Sequence, residues 1–260
     1  MGTEFELMVA PNGARLMPSD HPALPITAQD VAKTAKACAD AGATSIHVHV
    51  RDKNGQHSLD PDLYANAVAE IAKLTPLQVQ FSTEAAGIFD VADQRHCLAN
   101  PASHEASVSL REIAREPELL VDTYVAAQKN GIDIQHILYD ASDLTHLLQR
   151  YDVGDIPLGS QRAIFVLGRY AEGQISTPAD LEPFLTALGN VDLDWSVCAF
   201  GPYEHACLLA ALDRGGNVRI GFENSRTAAD GSVHASNEAS VAAFVEAAAK
   251  AGFQPKRSRK

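Results

Sequence analysis

Thiol pairs, long apolar runs and positive charge are all scarce in this chain of 260 residues. Its four cysteines, Cys38, Cys97, Cys198 and Cys207, are scattered through apolar contexts, and none forms a C-x-x-C pair. That excludes a disulfide scaffold or a thiolate metal cluster and leads us to expect buried thiols in a reducing cytoplasm. No stretch approaches the about 18 apolar residues that a membrane-spanning helix needs. The opening M-G-T-E-F-E-L-M-V-A-P lacks the basic region and apolar core of a secretion signal. Lys and Arg number 21 against 33 Asp and Glu, for a net charge of −12. A chain this acidic has no general basic face for nucleic acid or a membrane surface. No G-x-G-x-x-G follows the first strand-like segment, which argues against a dinucleotide fold. No serine with a matching histidine base stands out, so a Ser-His-Asp reading has no support.

What is present is a repeated alternation of short apolar strands and amphipathic helices. Strand-like segments run over 5–10, 45–52, 77–83, 106–110, 132–139, 163–167, 191–199 and 217–223. Between them lie helix signals: Thr27 with Asp30, Asp60-Pro61, Glu116-Pro117, Thr177-Pro178 with Asp180, and Ser236 or Asn237. Gly42, Gly131, Gly189, Gly215-Gly216 and Gly252 stand as helix stops. Strands alternating with helices imply a parallel sheet. Eight such units in this length predict an α/β fold, a single-domain (β/α)8 TIM barrel over 1–260, with a short flexible basic tail at about 254–260.

In such a barrel the chemistry lies at the C-terminal ends of the strands. The segment S-I-H-V-H-V-R-D at 45–52 alternates at period two, so His47 and His49 point to one face, about 6.6 Å apart along the strand. They are either hydrogen-bonded core histidines or two nitrogens converging on one metal ion. Glu223 ends the eighth strand, and strands two and eight both flank strand one. His47, His49 and Glu223 can therefore reach one point, with a fourth coordination position left open, as in catalytic zinc sites. Arg219 lies four residues earlier, on the same face and deeper. Arg15, Arg51, Arg111, Arg169 and Arg226 follow strands or occupy the top loops, which points to an anionic substrate. Ser82, Thr83, Ser107 and Ser109 lie near the tops of strands three and four and are candidates to hold a substrate carboxylate. The helix opening at Gly201 offers an N-terminus on the same face.

The segments H-V-H-V-R-D-K-N-G, V-L-G at 166–168, W-S-V at 195–197, G-G-N-V-R-I-G-F-E-N and A-S-N-E-A-S-V resemble the β-keto acid cleavage enzymes. The resemblance runs along nearly the whole chain. It implies a zinc-bearing barrel, usually a homo-oligomer (dimer or tetramer), that cleaves a β-keto acid with acetyl-CoA to give acetoacetate and a new CoA ester. Carried onto matching positions, it makes His47, His49 and Glu223 the zinc ligands and Arg219 the catalytic arginine. Ser82, Ser107 and Ser109 become substrate contacts. Some positions depart from the family pattern: Arg15 stands where an acid is common, Ile137 where a Glu is common, and Asn224 where an acid follows the strand-eight Glu. Glu84-Ala85 replaces a Gly-Gly pair and makes Glu84 the substitute acid. Arg15 in place of an acid favours an anionic substrate over an amino-bearing one. Two other functions fit the same residues: a CoA-independent metal-dependent aldolase or lyase, and a metal- and ligand-binding barrel without catalysis.

Overall fold

Eight short strands close into a ring: β1 (Leu7–Val9), β2 (Ser45–Val48), β3 (Gln78–Ser82), β4 (Glu105–Ser109), β5 (Asp133–Leu138), β6 (Arg162–Leu167), β7 (Asp194–Ala199) and β8 (Asn217–Ile220). The computed structural model describes residues 2–157 and 161–256. Every neighbouring pair is parallel, and β8 closes the ring against β1 with Val218 beside Leu7. The fold is thus the expected (β/α)8 barrel. The main helices are α1 (Ala28–Asp40), α2 (Pro61–Ala72), α3 (Val91–Ala99), α4 (Leu110–Ile113), α5 (Pro117–Lys129), α6 (Ala141–Val153), α7 (Glu182–Leu188), α8 (Glu204–Asp213) and α9 (Asn237–Lys250). Among the described residues, no helix is long and apolar enough to cross a membrane.

The capping chemistry explains where the helices begin. Thr27 accepts from the Asp30 backbone N–H, Asp60 from that of Asp62 with Pro61 in the first turn, and Ser236 from that of Ala239. Asp90 with Asp93, and Thr177 with Asp180, form reciprocal capping boxes. The apolar face of each strand packs outward on the helices. Phe81, Phe165, Leu138 and Ile46 are all buried in that layer.

Three boundaries differ from the sequence reading. β2 ends at Val48 and does not run to Asp52. The Asn12 amide donates to the His49 carbonyl at 3.0 Å, which takes that residue out of the ladder. Val50–Arg51 then pairs antiparallel with His57–Ser58 as a small hairpin. β8 ends at Ile220, so Glu223 stands in a turn above the strand. The frayed tail does not begin at 254, because Phe253–Pro255 pairs with Thr3–Phe5 and Lys256 reaches Glu6 at 3.2 Å. Residues 257–260 lie outside the described residues.

The N-terminal mouth of the barrel is held by one guanidinium. Arg162 lies 3.0 Å from Asp133, 3.3 Å from Glu105, 3.4 Å from Asp194 and 3.8 Å from Glu6. These partners sit on β5, β4, β7 and just before β1, so a single side chain ties together strands remote in sequence.

Candidate active site

The opposite mouth holds a cavity of about 350 Å³. His47, on β2, and His49, just past it, lie at its floor with Nε2 atoms 3.1 Å apart. Glu223 is brought over them by two glycines. At Gly221 φ is +137°, and a Cβ there would lie 2.5 Å from the Ala10 carbonyl oxygen, so only glycine can make this bend. At Gly13 a Cβ would lie 2.8 Å from Glu223 Cγ, so the bare backbone leaves room for the carboxylate. Glu223 Oε2 then lies 3.8 Å from His47 Nε2 and 3.6 Å from His49 Nε2.

These separations suit a shared cation. Ligands about 2.0–2.2 Å from a tetrahedral ion stand about 3.3–3.6 Å from one another. The three donor atoms all fall within 4.8 Å of each other. Glu223 Oε2 is buried without a hydrogen-bond partner, as a coordinating oxygen would be before its ion is counted. The protonation states agree. Burial pushes His47 down to about 4, and Arg219 adds to the shift. Burial also drives His49 well below its ordinary value, with His47 and His57 next in effect. Both imidazoles are therefore neutral near neutral pH. Burial works to raise the Glu223 carboxyl, but Arg219 and then His47 outweigh it, and it is held below its usual range. The residues present fit a divalent ion of the zinc type, two neutral nitrogens and one carboxylate.

The other expected residues divide. Arg219 is buried in the floor, with Nη2 3.2 Å from Glu223 Oε1 and 3.3 Å from Cys198 Sγ. Glu84, Asn224, Ser82 and Arg15 line the cavity. Glu84 Oε1 accepts from Arg15 at 2.6 Å, and Glu84 Oε2 lies 3.9 Å from His49 Nε2. Both polar atoms of the Asn224 side chain are buried and unpartnered. Thr83, Ser107 and Ser109 do not line the cavity. Thr83 Oγ1 donates to the Ser107 carbonyl at 2.8 Å, while Ser107 and Ser109 are fully enclosed.

The arginines divide in the same way. Arg15, Arg169 and Arg226 line the cavity. Arg51 instead donates to the backbone carbonyls of Gly13, Leu16 and Gly55, holding the loop after β1. Arg111 pairs with Asp140, the N-cap of α6, and with Asp143 in its first turn, and lies over the Tyr139 ring. The expected anion site at the start of α8 is also displaced. Of that segment only Gly201 reaches the cavity, and the helix opens on Glu204, itself a buried carboxylate.

The model of the beta-keto acid cleavage enzyme family matches residues 6–260. This chain belongs to that family. Among curated members it is 27% identical over 225 residues to the 3-keto-5-aminohexanoate cleavage enzyme of Acetoanaerobium sticklandii, covering 82% of this chain and 80% of that protein. It is 25% identical over 235 residues to the 3-oxoadipate:acetyl-CoA acetyltransferase of Cupriavidus necator, covering 84% and 79%. Among solved structures, apo ObcA superposes with a TM-score of 0.71 at 15% identity, over 90% of this chain and 64% of that one. The present chain thus spans less than two thirds of that protein's length, and the likeness speaks for the fold alone.

Several lining residues of this family member escaped the sequence reading. Asn12, Tyr139, Val166 and Phe200 complete the cavity wall, and Arg169 lies over the Phe200 ring at 5.2 Å. Gln80, fully buried, accepts from His47 Nδ1 at 2.8 Å. Its only sequence signal is a polar residue alternating inside the apolar strand L-Q-V-Q-F. Choosing the histidine beside it requires the β2–β3 register, which sets His47 against Gln80.

Proposed function

We propose that this chain catalyses cleavage of an anionic β-keto acid with acetyl-CoA, releasing acetoacetate and a new CoA ester. His47, His49 and Glu223 would hold a zinc ion. The observation that carries the reading is the meeting of those three side chains on the floor of a cavity whose wall presents Arg15, Arg169 and Arg226. The family match supports the reaction class, and the acetyltransferase name of one relative supports the acyl acceptor.

A bound divalent cation would supply Lewis-acid polarisation of the keto oxygen. The chain's own residues supply the rest. Arg15, half-exposed at the rim, and Arg169, nearer the floor, offer guanidinium forks to the far end of an anionic substrate. Leu16, Ile137, Val166 and Phe222 exclude water from the body of the keto acid. Arg219 holds Glu223 Oε1 and leaves Oε2 facing the histidines. Asn224 is neutral and lines the cavity, so it takes the role of a hydrogen-bonding group and not of a base. Glu84 is the carboxylate placed to remove a proton from the carbon between keto and carboxylate groups. That carbon attacks the acetyl thioester, and CoA thiolate leaves. The thiolate then adds to the original keto carbonyl, the bond from that carbonyl to the attacking carbon breaks, and the acetoacetate carbanion released takes back the proton held by Glu84. One thioester is consumed and one formed.

Four free, buried cysteines suit a reducing cytoplasm, our proposed location, and we propose a homo-oligomeric assembly on the family resemblance. The test is purified protein with zinc, acetyl-CoA and β-keto acids carrying distal carboxylate, neutral or amino groups. Acetoacetate and a new thioester should appear in equal amounts, fastest with the distal carboxylate. Cleavage without CoA would select the aldolase reading, and binding without turnover would select the non-catalytic barrel.

A further inference from the structure

His47 Nδ1 is the end of a buried chain of hydrogen bonds. Gln80 Nε2 donates to Gln135 Oε1 at 3.1 Å, and Gln135 Nε2 donates to Ser196 Oγ at 3.0 Å. Ser196 Oγ in turn points to the Ala163 carbonyl at 3.4 Å. Gln80, Gln135 and Ser196 come from β3, β5 and β7, the alternate strands that share one interior layer of a barrel. Gln80 is fully buried, and Gln135 and Ser196, buried as well, also border a small cavity of about 10 Å³ at the N-terminal mouth.

The last link sets the direction of the rest. A backbone carbonyl can only accept, so the Ser196 hydroxyl proton goes to Ala163 and the oxygen accepts from Gln135. Gln135 must then present its own oxygen to Gln80, and Gln80 must present its oxygen to His47. His47 therefore carries its proton on Nδ1. Its Nε2 has a bare lone pair, aimed at His49 and Glu223. Run in the opposite direction, the chain would put a proton on His47 Nε2, 3.1 Å from His49 Nε2. That would remove the lone pair through which His47 could hold an ion.

We propose that Gln80 is a positioning residue, held by Gln135 and Ser196, that locks His47 in the Nδ1-protonated form and so keeps its Nε2 lone pair available to an ion. The link to the ion rests on the zinc reading above; the tautomer does not. Second-layer groups that fix a ligand histidine typically change metal affinity about 10–100-fold.

Histidine-labelled, metal-free protein decides the matter by long-range proton–nitrogen correlation spectra, with His47→Asn assigning the signals. Wild-type His47 should show a protonated Nδ1 and a bare Nε2. Gln80→Leu should move the ring toward the Nε2-protonated form and raise the Zn2+ dissociation constant about 10–100-fold in a chelator competition. Gln80→Glu, whose carboxylate accepts from Nδ1–H, should keep the wild-type tautomer and recover the affinity lost in Gln80→Leu at a pH where that carboxylate is ionised. A wild-type proton on Nε2 overturns the proposal, as does an unchanged tautomer in Gln80→Leu. If Gln80→Leu does not fold, the wild-type and Gln80→Glu spectra still decide. Wild-type protein with the expected tautomer but no Zn2+ binding would sink the metal reading while leaving the role of Gln80 intact.

Discussion

Replacing Arg219 by Met tests whether Glu223 is built to sit beside a cation. Arg219 is 3% exposed, and its Nη2 is 3.2 Å from Glu223 Oε1. Two unit charges at that separation attract by about 5 kcal/mol at an effective dielectric of about 20. Removing one member of such a pair leaves the other buried and uncompensated, which costs about 3–5 kcal/mol. A divalent ion on Glu223 Oε2 would take over much of that compensation. Arg219→Met should therefore lose about 3–5 kcal/mol of unfolding free energy in chelator, and less than about half of that in saturating Zn2+. Guanidinium chloride titration reads both conditions, with Trp195, the chain's one tryptophan, as the fluorescent reporter on β7. The same variant should be more acid-sensitive. The depressed Glu223 pKa contributes stability that is present above its ordinary value of 4.5 and is lost as pH falls through the folded value. Without the guanidinium that loss begins at higher pH. Equal penalties with and without zinc, or a penalty under about 1 kcal/mol, would refute the reasoning.

Gly216→Ala would set a Cβ 2.3 Å from Trp195 Cζ3; overpacking of this kind costs about 1–3 kcal/mol or more, and thermal melting with near-ultraviolet dichroism should show both the loss and a displaced indole. Arg15→Ala removes a half-exposed ion pair with Glu84 and should change stability by under about 1 kcal/mol, yet raise KM for a distal-carboxylate keto acid at least about tenfold, measured against a neutral analogue as control. His136 is held down to about 3 by burial, so it resists protonation in the folded state. Stability should fall as pH drops from about 6.5 toward 3, by up to about 1.4 kcal/mol per pH unit from this group. His136→Phe should flatten that slope in acid denaturation, at the cost of the Tyr124 hydroxyl contact made at 3.2 Å.

What could be read from sequence was what local periodicity carries. The barrel follows from alternating strand and helix patterns, and the helix starts follow from Asp60-Pro61, Thr27 and Ser236 acting within one turn. The inward pairing of His47 and His49 needs only period two. Features that depend on two distant segments were not legible. Glu223 reaches the histidines only because Gly221 bends the chain and Gly13 makes room. Arg51 looks like a substrate ligand in sequence, but three backbone carbonyls of neighbouring loops claim it. Thr83 is tied to the Ser107 carbonyl, and Ser107 and Ser109 are enclosed outside the cavity lining, a placement that depends on the packing around β3 and β4. Gln80 matters through its neighbours in the barrel ring, and no stretch of sequence contains those neighbours together.

The two mouths of the barrel carry opposite charge arrangements. The cavity wall presents four guanidiniums, Arg15, Arg169, Arg219 and Arg226, against two carboxylates, Glu84 and Glu223. The far mouth presents Arg162 and Lys256 against Glu6, Glu105, Asp133 and Asp194. On a molecule of net charge −12, an incoming anion is repelled over most of the surface and drawn in at one end. Encounter is thereby oriented before any contact forms, and salt, which shortens the reach of that field to about 8 Å at physiological strength, sets how far from the mouth the guidance begins.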